Sequence, residues 1–385
     1  MKKEIYLDYN ATTPCDQRVL EKMLPFFTEY YGNPSNGFHK QGRITARYVE
    51  VAREQIAALI GANQKEIIFT AGATESNNLA IFGITRSGSN NGRNRIVTSA
   101  IEHKSVLNPC HKLQEEGYEV IYLPVDSQGC VDLDAAKEAI NANTLLVSVQ
   151  FANNEIGSIQ PIKEISEIAH DRGALLHCDA AQAAGKVKLD VHDLGVDLLS
   201  VSAHKLYGPK GIGALFIAGG VKSIRLEPLI YGGGHESGVR SGTQNVPSIV
   251  GFGEACRIVA ESLDEESSRI KTLRDELEAR LIARIPNMYI NGQKGYRLPN
   301  TSSMTFPGID ADALLFSLPD VMMGNGSACN SGAIEPSHVL QAIGVNREDA
   351  YSTIRASLGR FTTSEDILEA SEKIAQAVEN LQSIS

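Results

Sequence analysis

The sequence predicts an α/β fold, a mostly parallel sheet with helices on both faces, followed by a smaller α+β unit. Between residues 66 and 201, short apolar runs alternate with amphipathic stretches of helical period. The runs are short and nearly continuous in apolar character, as strands buried on both faces require. After residue 251 the alternation gives way to a long charged helical stretch. At 385 residues the chain is long enough for more than one core, since single cores stop growing near about 250–300 residues.

In chain order, residues 16–30 read as one helix and 41–60 as another with an Ala/Val/Ile face. The first sheet strand is 66–70, closed by Ala71-Gly72-Ala73-Thr74 and followed by a helix over 75–83. Residues 95–99 are the next strand and 105–116 its helix. Strands follow at 120–124 and 145–151, with a helix over 133–140 between them. A helix at 161–172 and strands at 174–178 and 198–201 complete the series. Residues 249–281 then read as a long helix interrupted near Glu265 or Ser267. Strand-like pieces at 288–291 and 301–306, a Gly-rich loop over 324–332 and closing helices make up the rest. The change of pattern places a boundary near residue 255. It predicts a large domain over 15–255 and a small one built from 1–14 and 256–385.

Hydrophobic residues make up 42% and charged residues 21%, a globular balance that excludes a disordered or fibrous chain. Lys and Arg total 36 against 46 Asp and Glu, a net charge of −10 with no basic cluster. That balance does not suit binding to nucleic acid or an anionic membrane. No apolar run approaches the roughly 18 residues of a bilayer span. Met1-Lys2-Lys3-Glu4-Ile5 leads to Asp8-Tyr9-Asn10 without an apolar signal core, so the chain reads as cytoplasmic. Its six cysteines contain no CxxC pair, which gives neither a zinc site nor a disulfide framework. Five of them read as small core hydrophobes.

In open α/β sheets, ligands lie beyond the carboxyl ends of the strands. Gly72-Ala73-Thr74 follows the first strand as a small-residue turn opening a helix, a setting suited to a phosphate. Glu102 and His103 follow the second strand. Asn153, Asn154 and Glu155 follow strand 145–151, and Asp179 and Gln182 follow strand 174–178. Ser202, His204 and Lys205 follow the last one. Alone, each histidine reads as structural and Lys205 as a solvated surface residue; their convergence on one sheet edge is the signal. A lysine leaving an apolar strand is partly desolvated, which lowers its pKa as Schiff-base chemistry requires. Asp179 suits either a helix cap or the acidic partner of a protonated pyridine nitrogen. Rival signatures fail: there is no P-loop, Val239 stands where H-E-x-x-H needs histidine after His235-Glu236, and no G-x-S-x-G occurs.

Ser202-Ala203-His204-Lys205-Leu206-Tyr207-Gly208-Pro209-Lys210-Gly211 resembles the cofactor-lysine segment of the class V aminotransferase-like enzymes, which use pyridoxal 5′-phosphate. Asn153-Asn154-Glu155-Ile156-Gly157 and Gly326-Ser327-Ala328-Cys329 narrow the resemblance to the cysteine desulfurases of the nitrogenase and iron–sulfur-cluster branch. Tyr6-Leu7-Asp8-Tyr9-Asn10-Ala11-Thr12-Thr13, Gly32-Asn33-Pro34-Ser35, Gly72-Ala73-Thr74-Glu75-Ser76-Asn77-Asn78 and Arg355-Ala356-Ser357-Leu358-Gly359-Arg360 fit in order. The likeness runs from residue 6 to about 365.

The resemblance implies a fold-type I transferase with a seven-stranded type of sheet. It implies that Lys205 bonds the cofactor and moves protons, Asp179 pairs the ring nitrogen, and His103 stacks on the ring as an acid/base. Gln182 and Asn154 are implied on the ring's phenolic oxygen, and Thr74, Ser202 and His204 on the phosphate. Thr243 is implied to reach the phosphate of a neighbouring subunit, hence a homodimer. Arg355 is implied to clamp the carboxylate of L-cysteine, with Asn33 assisting.

Cys329 is then the nucleophile. The run from Gly324 to Gly332 has almost no side chain to bury, so an exposed, mobile loop is expected there. Such a thiol takes the substrate sulfur as persulfide, leaves L-alanine, and hands the sulfur to a protein acceptor in iron–sulfur assembly or another thiolation pathway. A selenocysteine lyase or other β-eliminating lyase is the rival chemistry. A catalytically silent partner is the non-enzymatic one, disfavoured because Lys205, Asp179, His103 and Arg355 are all present. Asn325, Asn330 and Ala203 depart from the commonest pattern, and little chain follows Arg360. These departures bear on the acceptor rather than the cofactor site.

Overall fold

The computed structural model describes residues 4–89, 91–325 and 336–383. Its strands are β1 (Ile5–Tyr6), β2 (Ile67–Thr70), β3 (Arg95–Ser99), β4 (Glu119–Leu123), β5 (Thr144–Gln150) and β6 (Leu175–Asp179). They continue as β7 (Leu198–Ser202), β8 (Gly213–Ile217), β9 (Tyr289–Asn291), β10 (Thr301–Thr305), β11 (Val321–Met322) and β12 (Thr353–Ser357). The main sheet has seven strands in the order β2-β8-β7-β6-β5-β3-β4. β8 runs antiparallel to both neighbours and every other pair is parallel. Adjacent residues of a strand feed opposite cores: Phe69 and Val97 pack in one cluster, Ile68 and Ile96 in another. Both faces are therefore covered, as the unbroken apolar runs predict.

A separate cluster joins Ile5, Leu7, Leu277, Met304, Ile354 and Ile374. It lies over the antiparallel sheet β12-β10-β9. The helix Val246–Arg284 links the two regions. Ile249, Phe252 and Ala255 pack in the first core, whereas Ile270, Leu277 and Leu281 pack in the second.

That helix runs without the interruption expected near Glu265 or Ser267. Its polar middle carries no Gly or Pro, so propensity costs little there. The middle is also held from outside: Arg360 donates to Glu266 at 2.9 Å, and Arg269 to the Thr362 carbonyl at 2.8 Å. The expected helix over 16–30 is two shorter ones, Gln17–Met23 and Pro25–Thr28, because Pro25 supplies no N–H to continue the first. The sequence reading has no strand at β8 or β12. Both are fully buried, and neither is flanked by the repeating strand–helix signal.

Candidate active site

The carboxyl ends of β3, β5, β6 and β7 and the turn after β2 open on one cavity of about 1180 Å³. Thr74, His103, Asn154, Asp179, Ser202 and Lys205 line it, together with Gln182, His204 and Arg355. These nine residues come from six separate stretches of the chain; the main sheet brings eight of them together, and Arg355 joins them from β12.

At one end, Gly72 opens the helix Ala73–Arg86 at φ +152°, a conformation open to glycine. Among the described residues, no side chain caps this helix start. Its first N–H groups are left for an anion, with Thr74, Ser202 and His204 around them. Gly213 makes the close approach possible, since a Cβ there would meet the Gly72 Cα at 2.7 Å. Burial pushes His204 down to about 4, helped by Lys205. It is therefore a neutral ring at pH 7, with Nδ1 3.1 Å from the Thr12 hydroxyl.

Asp179 sits at the end of β6. Its Oδ2 accepts from Asn77 at 2.7 Å and its Oδ1 from the Ala181 N–H at 2.9 Å. Asn77 donates its other hydrogen to Ser105 Oγ at 2.8 Å. The Ser105 hydroxyl and N–H both approach His103 Nδ1, at 2.8 and 3.1 Å. A backbone N–H only donates, so Nδ1 is the acceptor and the neutral ring carries its proton on Nε2. Burial lowers the pKa of His103, opposed by the Asp179 charge. One buried chain of donors thus fixes both the carboxylate and the imidazole tautomer. Asn77 stands in the Gly72–Asn78 motif without an implied role; its position one helical turn after Thr74 is the signal that places it here.

Lys205 lies in the tight turn Ala203–Lys205 directly after β7. Its amine donates to the carbonyls of Asn10 and Ala11, the latter at 2.7 Å. The turn is pinned behind it. Tyr207, at φ +62°, donates its N–H to Thr13 Oγ1 at 2.9 Å and lies under the Arg360 guanidinium. Gln182 also donates to the Asn10 carbonyl, at 2.9 Å. Asn10, Ala11 and Thr12 of the N-terminal segment therefore form a wall of the site, which the motif alone does not reveal.

Arg355 projects from β12 and is 5% exposed. It donates to Asp8 Oδ1 at 2.6 Å and to the Asn154 carbonyl at 3.1 Å, and among the described residues its Nε has no partner. Glu155 lines the same wall and accepts from the Ser337 hydroxyl; burial pushes its carboxyl up to about 7.

Glu102, beneath the wall, is wholly buried, accepting from the Gln150 N–H at 2.9 Å and from Ser99. Burial raises its pKa to about 8, against an ordinary value of 4.5. The folded protein holds this proton where the unfolded chain has lost it. The contribution is fully present below about pH 4.5 and is lost as pH rises through about 8. Denaturant unfolding of wild type and Glu102→Gln at stepped pH will show the wild type losing stability relative to the variant across that window. A constant difference would contradict the assignment.

Two expected residues are not brought into this cavity by the single chain. Asn33 is exposed and accepts from the Ser35 N–H at 2.9 Å. Thr243 is exposed, in a loop anchored by Glu236, which accepts from Arg53 at 2.8 Å and from the Phe69 N–H at 3.0 Å. Cys329 lies outside the described residues. Among the described residues, no group of three or more His, Cys, Asp or Glu is placed to hold a metal ion.

The pattern of the aminotransferase class-V family matches residues 5–369. A cysteine desulfurase IscS from Dictyoglomus turgidum is 46% identical over 387 residues, covering 100% of this chain and 97% of the relative. A solved NifS-like protein superposes with a TM-score of 0.90 at 38% identity, covering 98% of this chain and 100% of that one. A solved SspA in complex with cysteine superposes with a TM-score of 0.81 at 38% identity, covering 93% of this chain and 100% of that one.

Proposed function

The chain belongs to the aminotransferase class-V family and is a cysteine desulfurase, and from that premise we propose that its cavity holds pyridoxal 5′-phosphate and passes the sulfur of L-cysteine to Cys329. The observation that carries the reading is the pairing, in one cavity, of Lys205 and Asp179 with an uncapped helix start. The residues fit the cofactor: an anion site at Gly72 to Thr74, a carboxylate held by two donors at Asp179, and an amine at Lys205. When bound, the cofactor supplies an electron-poor ring that weakens the bonds at the substrate's Cα.

In this reading Lys205 holds the cofactor and moves the proton at the substrate Cα. Asp179, its two oxygens oriented by Asn77 and the Ala181 N–H, would pair the ring nitrogen. His103 presents its Nε2 proton, and Gln182 and Asn154 orient the ring oxygen and the substrate. Arg355 takes the substrate carboxylate, a partner that its Nε lacks among the described residues. Cys329 attacks the substrate sulfur as a thiolate. The S–S bond forms as the C–S bond breaks, and the carbon is reprotonated to give L-alanine.

The enzyme is proposed as a homodimer in which Thr243 serves the neighbouring subunit's phosphate site. Support comes from the exposure of Thr243 and of large apolar side chains such as Leu24, Phe27, Phe38 and Tyr231. Asn33, also exposed, is proposed to assist substrate binding once that assembly forms. The division into units 15–255 and 1–14 plus 256–385 is a further proposal, supported by the separate cores on either side of the long helix. A cytoplasmic location is proposed from the free thiols of Cys15, Cys110, Cys130, Cys178 and Cys256. Among the described residues, no helix is long and apolar enough to cross a membrane. The persulfide is proposed to pass to a protein acceptor, in iron–sulfur cluster assembly or another sulfur-transfer pathway.

The reading is tested at the substrate. Arg355→Lys keeps the charge and loses the planar fork, so KM for L-cysteine will rise about tenfold or more while the fold survives. An unchanged KM with a collapsed melting temperature would mark Arg355 as a structural ion-pair residue. Alanine release from L-cysteine, compared with selenocysteine, separates the desulfurase from a selenocysteine lyase.

A further inference from the structure

We infer that Asp8 is the positioning residue of the carboxylate site: it holds the Arg355 guanidinium at the angle that accepts the substrate, and so sets the affinity for cysteine. The inference rests on the reading that Arg355 binds the substrate carboxylate. Three elements meet at this pair. Asp8 stands two residues after β1, bridged to Ser357, the last residue of β12. Arg355 comes from β12, with its side chain 6% exposed against 20% for Asp8. Gly324 supplies the third element, exchanging backbone hydrogen bonds with Arg355 in both directions.

A buried guanidinium needs a fixed counter-charge, or it swings to find one. Asp8 Oδ1 takes Nη2 at 2.6 Å and the Asn154 carbonyl takes Nη1 at 3.1 Å. These two contacts fix the plane of the guanidinium from one side. Nε lies on the Nη2 edge of the guanidinium and, among the described residues, is buried and has no hydrogen-bond partner. That edge presents two parallel donors, the geometry a carboxylate takes bidentately. Asp8 and the Asn154 carbonyl thus hold the fork in the cavity wall that Arg355 lines. Gly324 keeps room for the pair, since a Cβ there would lie 3.1 Å from Arg355 Nη2 and 3.4 Å from Asp8 Oδ1.

The chemistry restricts the effect to ligands that carry the carboxylate. Cysteamine is cysteine without that group, so its binding does not depend on the aim of Arg355. The experiment compares wild type, Asp8→Ala, Asp8→Asn, Asp8→Glu and Arg355→Ala, each loaded with cofactor. The readouts are KM and kcat for L-cysteine, the absorbance change on titrating cysteamine, and the melting temperature. Asp8→Ala is expected to raise KM about tenfold, with a much smaller change in kcat and unchanged cysteamine binding. Asp8→Glu is expected to recover part of the loss. If Asp8→Ala does not fold, Asp8→Asn, which keeps the shape and weakens the pair, is read the same way.

A KM that stays put or falls would overturn the inference, the second outcome marking Asp8 as a competitor of the substrate. Equal weakening for cysteine and cysteamine would also overturn it, because that is the signature of general structural damage. Arg355→Ala separates the two levels. If it raises KM and Asp8→Ala does not, only the positioning role fails. If it leaves KM unchanged, the carboxylate reading fails with it.

Discussion

Lys205→Ala will give a folded protein that releases no measurable L-alanine from L-cysteine and lacks the absorption band of the covalently held cofactor. The amine is unusually placed for a lysine, at the exit of a strand whose residues are all buried. It donates to the main-chain carbonyls of Asn10 and Ala11. Such an amine is suited to bonding and proton transfer rather than to a surface ion pair. Loss of proton transfer alone costs on the order of 10²–10⁴ in rate, and loss of the covalent anchor adds to it. The fold survives because the turn is held by Tyr207, Thr13 and Arg360, not by the amine. A variant with wild-type absorbance and turnover would remove Lys205 from the mechanism.

Cys329→Ser will bind the cofactor and L-cysteine as wild type does, yet lose persulfide and alanine formation together. A hydroxyl is a weak nucleophile near neutral pH, whereas a thiol supplies a reactive thiolate fraction. Cys329→Ala will behave the same way, since the oxygen cannot stand in for sulfur. The other cysteines are poor substitutes. Burial pushes the Cys110 thiol up to about 12 and raises Cys178 well above its ordinary value, with the Asp179 charge adding to the second. Both are held as neutral core groups. Alanine release by Cys329→Ser at the wild-type rate would assign the sulfur to another acceptor and contradict the reading.

Much of the sheet was legible because each strand is a short apolar run bounded by a turn and a helix. The expected strand 95–99 and the observed β3 coincide. The polar residues at the strand ends were legible for the same reason, since a parallel sheet sends them all to one edge. β12 was not. Its residues, Thr353 to Ser357, are all buried despite alternating polar and apolar character, and β10 beside it decides this rather than any local period. Arg355 therefore appeared in the sequence through its motif and not through its element. Asn77, Asn10 and Asp8 were legible only as members of motifs. Asn77 meets Asp179 across 102 residues and Asp8 meets Arg355 across 347, distances that no window of sequence spans. The unbroken helix Val246–Arg284 shows the reverse error, a run of charges read as a break when long-range ion pairs hold it.

The central claim is that sulfur leaves L-cysteine and stays on Cys329. Mass spectrometry of the cofactor-loaded enzyme, after brief exposure to L-cysteine without reductant, tests it most directly. The account predicts one added sulfur on the peptide carrying Cys329, in step with the alanine released in the first turnover. A sulfur adduct on Cys110 or Cys178 with Cys329 unmodified, or alanine released with no adduct at all, would contradict it.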